Sequence, residues 1–245
     1  MTPTQVGSGF RCLNFQGVAR KEDPLTTKPV KTDPSADSRS GQILAAAVEV
    51  IIDRGFPETR IADVAERAGV SPALVIYYFK TRSSLLAEAM RRSESDWYSE
   101  MARRVSEVES AAAQLERVVA MTCLPPDRSG LSRPDHESAI FVDDSWIVWL
   151  DLWSQALREP QLRKVREEFD EHFRDTIRAI VNDGMAAKEF RPINVDDFAI
   201  IFAALLDGLA IQTALEDPAV SPQRAYELAM DTASQQLGFV LGNNV

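Results

Sequence analysis

The spacing of apolar residues constrains this chain more than any other feature, because it follows a helical period from Ser40 almost to the C-terminus. Ile43, Ala47 and Val50, for example, fall at i, i+4 and i+7 and form one apolar stripe on a helix. Glycine and proline residues separate such stretches, and no alternation with a period of two persists. The sequence therefore predicts an all-α protein of about nine helices.

Residues at helix ends set the approximate boundaries. Gly55 is expected to end the first helix, because glycine readily adopts the left-handed conformation that follows many helices. Ser71 before Pro72 is typical of a helix start, and Thr59 and Asn194 are expected to cap two further helices. The predicted helices cover about 40–54, 61–68, 72–79, 82–108, 111–123, 138–158, 160–187, 195–216 and 221–240.

Composition divides the chain into three predicted parts. Residues 1–38 contain four prolines and no helical period, so we expect a disordered arm. Residues 39–84 hold three short helices, and residues 85–245 hold the longer ones. The formal net charge is −10, yet residues 1–92 carry 13 Lys and Arg against 10 Asp and Glu. Only the N-terminal part, with a net charge of +3, therefore suits the phosphates of nucleic acid.

Several classes of protein are disfavoured. Two cysteines cannot form a disulfide framework, and no apolar run approaches the length of a membrane span or forms a signal sequence, so we expect a cytoplasmic protein without a membrane partner. The two histidines, His136 and His172, have no metal-ligand spacing, and no glycine-rich phosphate loop occurs. We therefore expect no enzymatic activity, no metal and no cofactor.

Two short predicted helices meet at Gly69, between residues 61 and 79. Such a pair, joined by a tight glycine turn, is typical of a helix-turn-helix, whose second helix enters the major groove of DNA. The candidate contacts to double-stranded DNA lie on or beside this second helix: Thr59, Arg60, Ser71, Pro72, Ala73, Leu74, Tyr77, Tyr78, Lys80 and Arg82.

The second helix lacks Arg, Asn and Gln, the usual bidentate readers of guanine and adenine. Leu74 is expected to touch thymine methyl groups, and Tyr77 and Tyr78 to bond phosphates or bases. The remaining polar candidates suit phosphate oxygens, which position a protein without reading sequence. The alternative is a helical interaction module that binds no DNA.

This stretch resembles the TetR family of bacterial transcription regulators. The matching positions are Phe56, Thr59, Ile61, Val64, Ala65, Ala68, Gly69, Val70, Ser71, Phe79 and Arg82. The chain departs from the usual pattern at Ala73, Ile76 and Tyr78. The resemblance implies an N-terminal DNA-binding domain and a C-terminal helical domain for ligand binding and dimerisation.

Three of the four tryptophans share one helical face, because Trp146, Trp149 and Trp153 are spaced by three and four residues. Asp143 can join that face. Such a stripe is either core or the wall of a pocket in which indole rings and a carboxylate hold a cation. The candidate ligand-binding residues are Trp97, Asp143, Trp146, Trp149, Trp153 and Asp207. Asp207, within an apolar helix, is either a ligand contact or a carboxylate bonded within the helix packing.

From Trp149 to Asp231 the chain resembles the choline-sensing, BetI-like branch of the family. The matching segments are 149–157, 190–192 and 205–210. This resemblance implies a dimerising helical domain with an internal pocket, without fixing the ligand. Choline-like ammonium compounds and polyamines are the hypotheses that the tryptophans together with an aspartate suggest.

The last two predicted helices are apolar on more than one side, which favours a two-fold four-helix interface between two copies. The candidate interface residues are Phe198, Ile201, Phe202, Leu205, Leu209, Tyr226, Met230, Ala233 and Leu237. A homodimer would read a palindromic operator with half-sites roughly 34–36 Å apart. A small effector would release it by favouring another conformer, with the long helix from Arg82 as the lever. Repression is the default expectation, and activation stays open.

Overall fold

The computed structural model describes residues 34–125 and 142–240. Within these two ranges the chain forms nine α-helices and no strand, which confirms the predicted all-α class. The helices are α1 (Pro34–Glu58), α2 (Ile61–Arg67), α3 (Pro72–Phe79), α4 (Arg82–Ser106), α5 (Ala111–Cys123), α6 (Val142–Ala156), α7 (Pro160–Ala186), α8 (Val195–Ala214) and α9 (Pro222–Leu237).

The first helix begins earlier than expected. It starts at Pro34, so residues 34–38 belong to α1 and not to a disordered arm; residues 1–33 lie outside the described part. The helical backbone breaks at Gly55, the residue at which the sequence predicted an end, because Gly55 adopts φ 76° and ψ 166°; a short segment continues to Glu58. A positive φ costs glycine little, since it has no Cβ.

Side-chain caps begin most of the later helices. The side chains of Ser71 and Asn194 accept hydrogen bonds from the backbone N–H groups of Leu74 and Asp197, as expected of N-caps. Thr59 does not cap α2. The N-cap is Arg60, whose backbone N–H donates to Asp63 Oδ2 at 3.3 Å.

Two cores lie within the described part of the chain. One joins the inner faces of α4, α5, α7, α8 and α9. The other, which we call the head core, holds together α1, α2, α3 and the start of α4. The head core also contains Val148 and Leu152 of α6 and Leu162 and Val165 of α7. The predicted division at residue 85 therefore runs through a shared core, and α6 packs directly on α1, the helix before the helix-turn-helix.

The helix α8 is long and apolar enough to cross a membrane by length and composition alone. Core helices of soluble proteins share this property. One side of α8 packs into the first core through Phe198, Phe202 and Leu206. Its other side exposes Ile200 and Ile201, so the helix has two apolar faces with different surroundings.

This arrangement corrects the predicted dimer interface. Five of its residues are buried within the chain and cannot cover a second copy: Phe198, Phe202, Met230, Ala233 and Leu237. Leu205, Leu209 and Tyr226 are partly buried, and Ile201 alone of the set is exposed. A helix that is apolar all round does not reveal from its sequence which face packs inward.

Candidate nucleic-acid interface and ligand pocket

The helix α3 presents one side to solvent and the other to the head core. Ala73, Ile76, Tyr77 and Lys80 are exposed and follow one another at helical spacing, while Val75 is fully buried on the opposite side. The side chain of Tyr77 is 68% exposed. The outward face is therefore available to another molecule.

The structure revises two predicted contacts on this helix. Leu74 and Tyr78 are partly buried, and Tyr78 packs against the head core. Tyr78 follows Val75 by three positions and therefore lies on the inner side of the helix. The exposed position that the prediction missed is Ile76.

Thr59 also lies inside the protein. Its side chain is inaccessible to solvent, and its hydroxyl donates to the carbonyl oxygen of Gly55 at 2.8 Å. The predicted phosphate contact at Thr59 is therefore wrong for the hydroxyl, which closes the turn between α1 and α2. Arg60, Ser71 and Pro72 are exposed at the starts of α2 and α3.

Arg82 stabilises the same turn. Its guanidinium donates to the carbonyl oxygens of Thr59, at 2.7 Å, and of Phe56. It also forms an ion pair with Glu159 at 3.7 Å. Arg82 therefore acts as a clamp between the start of α4 and the turn before α2. Its predicted contact to phosphate stays a prediction, which the remaining N–H groups of the guanidinium would have to make.

The exposed Arg and Lys side chains of the head, by which we mean helices α1 to α3 and the start of α4, differ in their surroundings. Arg67 pairs with Glu49 at 2.9 Å and with Asp53 at 2.5 Å. Lys80 folds over its own helix, where Nζ donates to the carbonyl oxygen of Tyr77 at 2.7 Å and lies 5.2 Å from the centre of that ring. Arg60 has no ion pair with any described residue. Arg60 and Lys80 are thus the predicted cations that stay accessible to phosphate.

Four tryptophans, one from α4 and three from α6, line one cavity. Its volume is about 40 Å³, a few times the space that one buried water needs. Five predicted ligand-binding residues line it: Trp97, Trp146, Trp149, Trp153 and Asp207. The sixth, Asp143, belongs to α6, but its side chain lies outside the described residues. The spacing of the tryptophans thus located a cavity wall.

Four lining residues were missed by the sequence analysis: Met121, Thr122, Phe169 and Phe173. Phe169 and Phe173 are four residues apart on α7, a spacing that could have indicated a shared face. Four of the rings are linked by contacts: Trp97, Trp149, Phe169 and Phe173. Trp146 and Trp153 form a separate pair with ring centres 6.3 Å apart. The ring centres of Trp149 and Phe169 are 4.1 Å apart, and those of Trp97 and Phe173 are 6.1 Å apart.

Asp207 is the acidic group of this cavity among the described residues. Its carboxylate forms no hydrogen bond or ion pair with a described residue, which disfavours the alternative of a carboxylate bonded within the helix packing. Burial raises the pKa of Asp207 to about 7, and the nearby Asp170 adds to the increase. Arg166 and Arg174 oppose this shift, but Arg166 pairs with Asp170 at 2.6 Å. The cavity therefore holds a carboxylate without a counter-ion from the described chain.

Trp153 adds a polar group to the site. Its indole Nε1 is buried and has no hydrogen-bond partner among the described residues. An indole N–H can only donate, so an oxygen atom of a ligand would satisfy it.

The wall of the cavity is linked to the head. Asp151, between the cavity residues Trp149 and Trp153 on α6, accepts a hydrogen bond from the backbone N–H of Phe56 at 3.2 Å. Glu159, which follows α6 as the N-cap of α7, accepts a hydrogen bond from Ser83 at 2.5 Å. Trp149 itself lines the cavity and packs against the head core. A displacement of α6 therefore acts directly on the turn before α2.

The remaining candidates for chemistry have ordinary surroundings. His172 is exposed, and its Nδ1 lies 2.8 Å from the buried Glu94 carboxylate. Burial raises the pKa of the Cys123 thiol to about 12, which keeps it in the unreactive protonated form at neutral pH. His136 lies outside the described residues.

Solved structures share this architecture. The chain aligns with a putative transcriptional regulator from Saccharomonospora viridis in complex with choline, with a TM-score of 0.69, 24% identity and coverage of 82% of this chain and 98% of that one. It also aligns with a putative TetR-family regulator from a Rhodococcus species, with a TM-score of 0.67, 25% identity and coverage of 82% and 99%.

Sequence comparison gives the family. Residues 43–89 match the family described as bacterial regulatory proteins of the tetR family, and residues 139–238 match the C-terminal domain of BetI-type transcriptional repressors. The chain is 30% identical over 200 residues to the transcriptional regulator BetI of Burkholderia mallei, covering 81% of this chain and 93% of the relative. These findings confirm both resemblances seen in the sequence, and the chain belongs to the TetR family of DNA-binding transcriptional regulators.

Proposed function

We propose that the protein is a homodimeric, cytoplasmic repressor that binds a palindromic operator and is released by a small organic cation. The observation that supports a cationic ligand is the position of Asp207. Its carboxylate lines the cavity beside aromatic rings and forms no hydrogen bond or ion pair with the described residues. Aromatic faces attract cations, and a buried carboxylate is stabilised by a positive charge. The choline found in the related Saccharomonospora viridis structure supports the same class of ligand.

A hydroxyl-bearing quaternary ammonium compound fits the groups on the cavity wall. Its charge would be balanced by Asp207, and its methyl groups would contact the tryptophan faces. Its oxygen could accept the free N–H of Trp153. A permanent cation also keeps its charge beside a carboxylate that accepts a proton near neutral pH.

The test of the cation compares choline with its uncharged carbon analogue, 3,3-dimethylbutanol, by calorimetry and tryptophan fluorescence. We expect choline to bind and the analogue, which has nearly the same shape, to bind much more weakly. Asp207→Asn should bring the two affinities together, because it removes the charge and keeps the size. Equal binding of both compounds to the wild-type protein would contradict the cationic effector.

The dimer follows from the outer face of α8. Ile200 and Ile201 are exposed there, and Leu215 is exposed directly after the helix ends. Ala204 and Gly208 lie between them in the sequence and are also exposed. A Cβ atom at Gly208 would meet no atom of the described residues within 4 Å, so this point of the helix surface is open within that part of the chain. Small residues between large apolar ones let a second helix approach closely. We infer that this face pairs with its copy about a two-fold axis.

A dimer places two copies of α3 on one face of DNA. Operators of helix-turn-helix dimers repeat the protein's two-fold symmetry, with half-sites roughly 34–36 Å apart. The acidic C-terminal part would be repelled by DNA, so α3 and the ends of its neighbours are the surface that docks.

Ligand binding is proposed to act through α6. A cation that enters the cavity presses on Trp149 and Trp153, and Asp151 between them carries the displacement to the Phe56 turn. The ligand then changes the DNA affinity only as far as it binds two conformers differently. This route adds α6 to the long helix α4, the lever that the sequence suggested.

The repressor is tested with a duplex of its own upstream region. We expect tight binding that weakens steeply with salt, because DNA releases counterions when the protein binds. Choline should then lower the affinity for DNA at constant salt. If choline instead raised the affinity for DNA, the protein would be an activator, or a repressor for which choline is a co-repressor.

A further inference from the structure

The exposed face of α3 is apolar where a recognition helix usually carries polar readers. Ile76 is 48% exposed and its neighbour Tyr77 is 68% exposed. Ala73 precedes them by one turn on the same side. Eight large hydrophobic side chains are exposed in the described part of the chain, and two of them are adjacent at this position.

Within the described part of the chain about half of the Ile76 surface stays open to solvent. Val75, the next residue, is fully buried in the head core, so the backbone directs Ile76 away from it. The exposed face of α8, which we assign to the dimer, belongs to a different element. Since α3 is the helix that enters the major groove in this family, the base edges of DNA are the surface that Ile76 meets.

In the major groove, an exposed apolar side chain such as Ile76 can recognise one feature of the bases by apolar contact. Thymine alone of the four bases presents a methyl group there, and apolar side chains recognise it by contact. We propose that Ile76, supported by Ala73, is a specificity-determining residue that reads the 5-methyl groups of thymine in each operator half-site. Leu74, the residue expected from the sequence to make this contact, is partly buried.

The proposal depends on α3 docking in the major groove, so binding sites are first selected from random duplexes with the full-length protein. Single thymines in the selected half-site are then replaced by deoxyuridine, which removes only the methyl group. We expect one or two positions in each half-site to lose affinity. Loss of one buried methyl group, about 0.8 kcal/mol, corresponds to roughly fourfold per position.

The side chain is assigned with variants of the exposed positions. Ile76→Ala should bind thymine and deoxyuridine operators equally, while Ile76→Val should keep part of the difference. Leu157→Ala is the control, because it shortens an exposed apolar side chain far from α3 in the sequence and should leave both the affinity and the ratio unchanged. Thermal unfolding checks that each variant folds, as expected for exposed side chains.

The outcomes separate this inference from DNA binding itself. A selected operator that is insensitive to every deoxyuridine would overturn methyl readout while leaving the repressor intact. A thymine preference that persists in Ile76→Ala would show that another residue reads the methyl groups. Selection of no preferred sequence would overturn both base readout at Ile76 and the proposed operator.

Discussion

Asp151 on the cavity helix α6 accepts a hydrogen bond from the backbone N–H of Phe56, the residue that follows the break at the end of α1. The glycine at position 55 makes this contact possible. A Cβ atom there would lie 2.6 Å from Asp151 Oδ2, and its φ of 76° is unfavourable for other residues. One carboxylate thus connects the wall of the ligand cavity with the turn that orients α2.

This connection predicts that Asp151→Ala uncouples ligand from DNA. Choline and DNA should each still bind, because neither touches Asp151. The loss of DNA affinity caused by choline should become at least fivefold smaller, in line with couplings of about 1–3 kcal/mol in other proteins. Operator affinity is measured by anisotropy with and without choline. Asp151→Asn keeps an acceptor oxygen and should retain most of the coupling; an unchanged response in Asp151→Ala would contradict the proposed route.

The sequence predicted the helices well because their ends depend on neighbouring residues. Gly55, Ser71 and Asn194 act within one turn of their own positions, so their effects can be read without tertiary structure. The tryptophans of α6 were likewise placed together by spacing alone. Phe169 and Phe173 reach the same cavity from another helix, and no local pattern joins them to α6.

The sequence analysis was incomplete where a side chain or a helix face can pack against more than one kind of partner. A guanidinium can donate to either a phosphate or a backbone carbonyl, and the carbonyls that Arg82 bonds belong to residues 23 and 26 positions away in the sequence. In α8 both faces are apolar, so periodicity could not decide whether Phe202 or Ile201 packs inward. Such choices are settled by packing between distant segments.

The raised pKa of Asp207 leads us to predict that the stability of the protein and its affinity for choline change with pH in opposite directions. Burial raises the pKa of Asp207 to about 7 from 3.8, so the folded protein favours the protonated carboxyl. Its contribution to stability is complete below about pH 4 and is lost as the pH rises through 7. The loss is on the order of 4 kcal/mol. Choline affinity should instead rise toward pH 7, because the carboxylate then carries its charge.

Asp207→Asn separates these effects from the other titrating groups. The free energy of unfolding of the variant relative to wild type, measured by denaturant titration, should increase between pH 4 and 7 and then level off. Its weak choline binding should show little pH dependence over the same interval. A constant stability difference across this interval would mean that Asp207 does not titrate there.

Arg82 and Arg60 are predicted to affect DNA binding for different reasons. Arg82→Ala removes charge-assisted hydrogen bonds to Phe56 and Thr59 and should lower the free energy of unfolding by about 2–3 kcal/mol. The DNA affinity of Arg82→Ala should depend on salt concentration as steeply as that of the wild-type protein. Arg60→Ala should leave stability nearly unchanged and reduce the salt slope by about 1 for each head. The reverse pattern would assign the phosphate contact to Arg82.

The exposed face of α8 predicts how the dimer can be broken. Ile201 is 56% exposed in the protomer, so Ile201→Glu should leave the chain folded while placing two carboxylates at the two-fold interface. We expect sedimentation to give the mass of one chain at micromolar concentration. Operator affinity should fall by at least tenfold, because two heads no longer bind together. Leu157→Glu, which changes another exposed apolar residue outside α8, is the control and should remain dimeric. A dimeric Ile201→Glu protein with normal operator affinity would place the interface elsewhere.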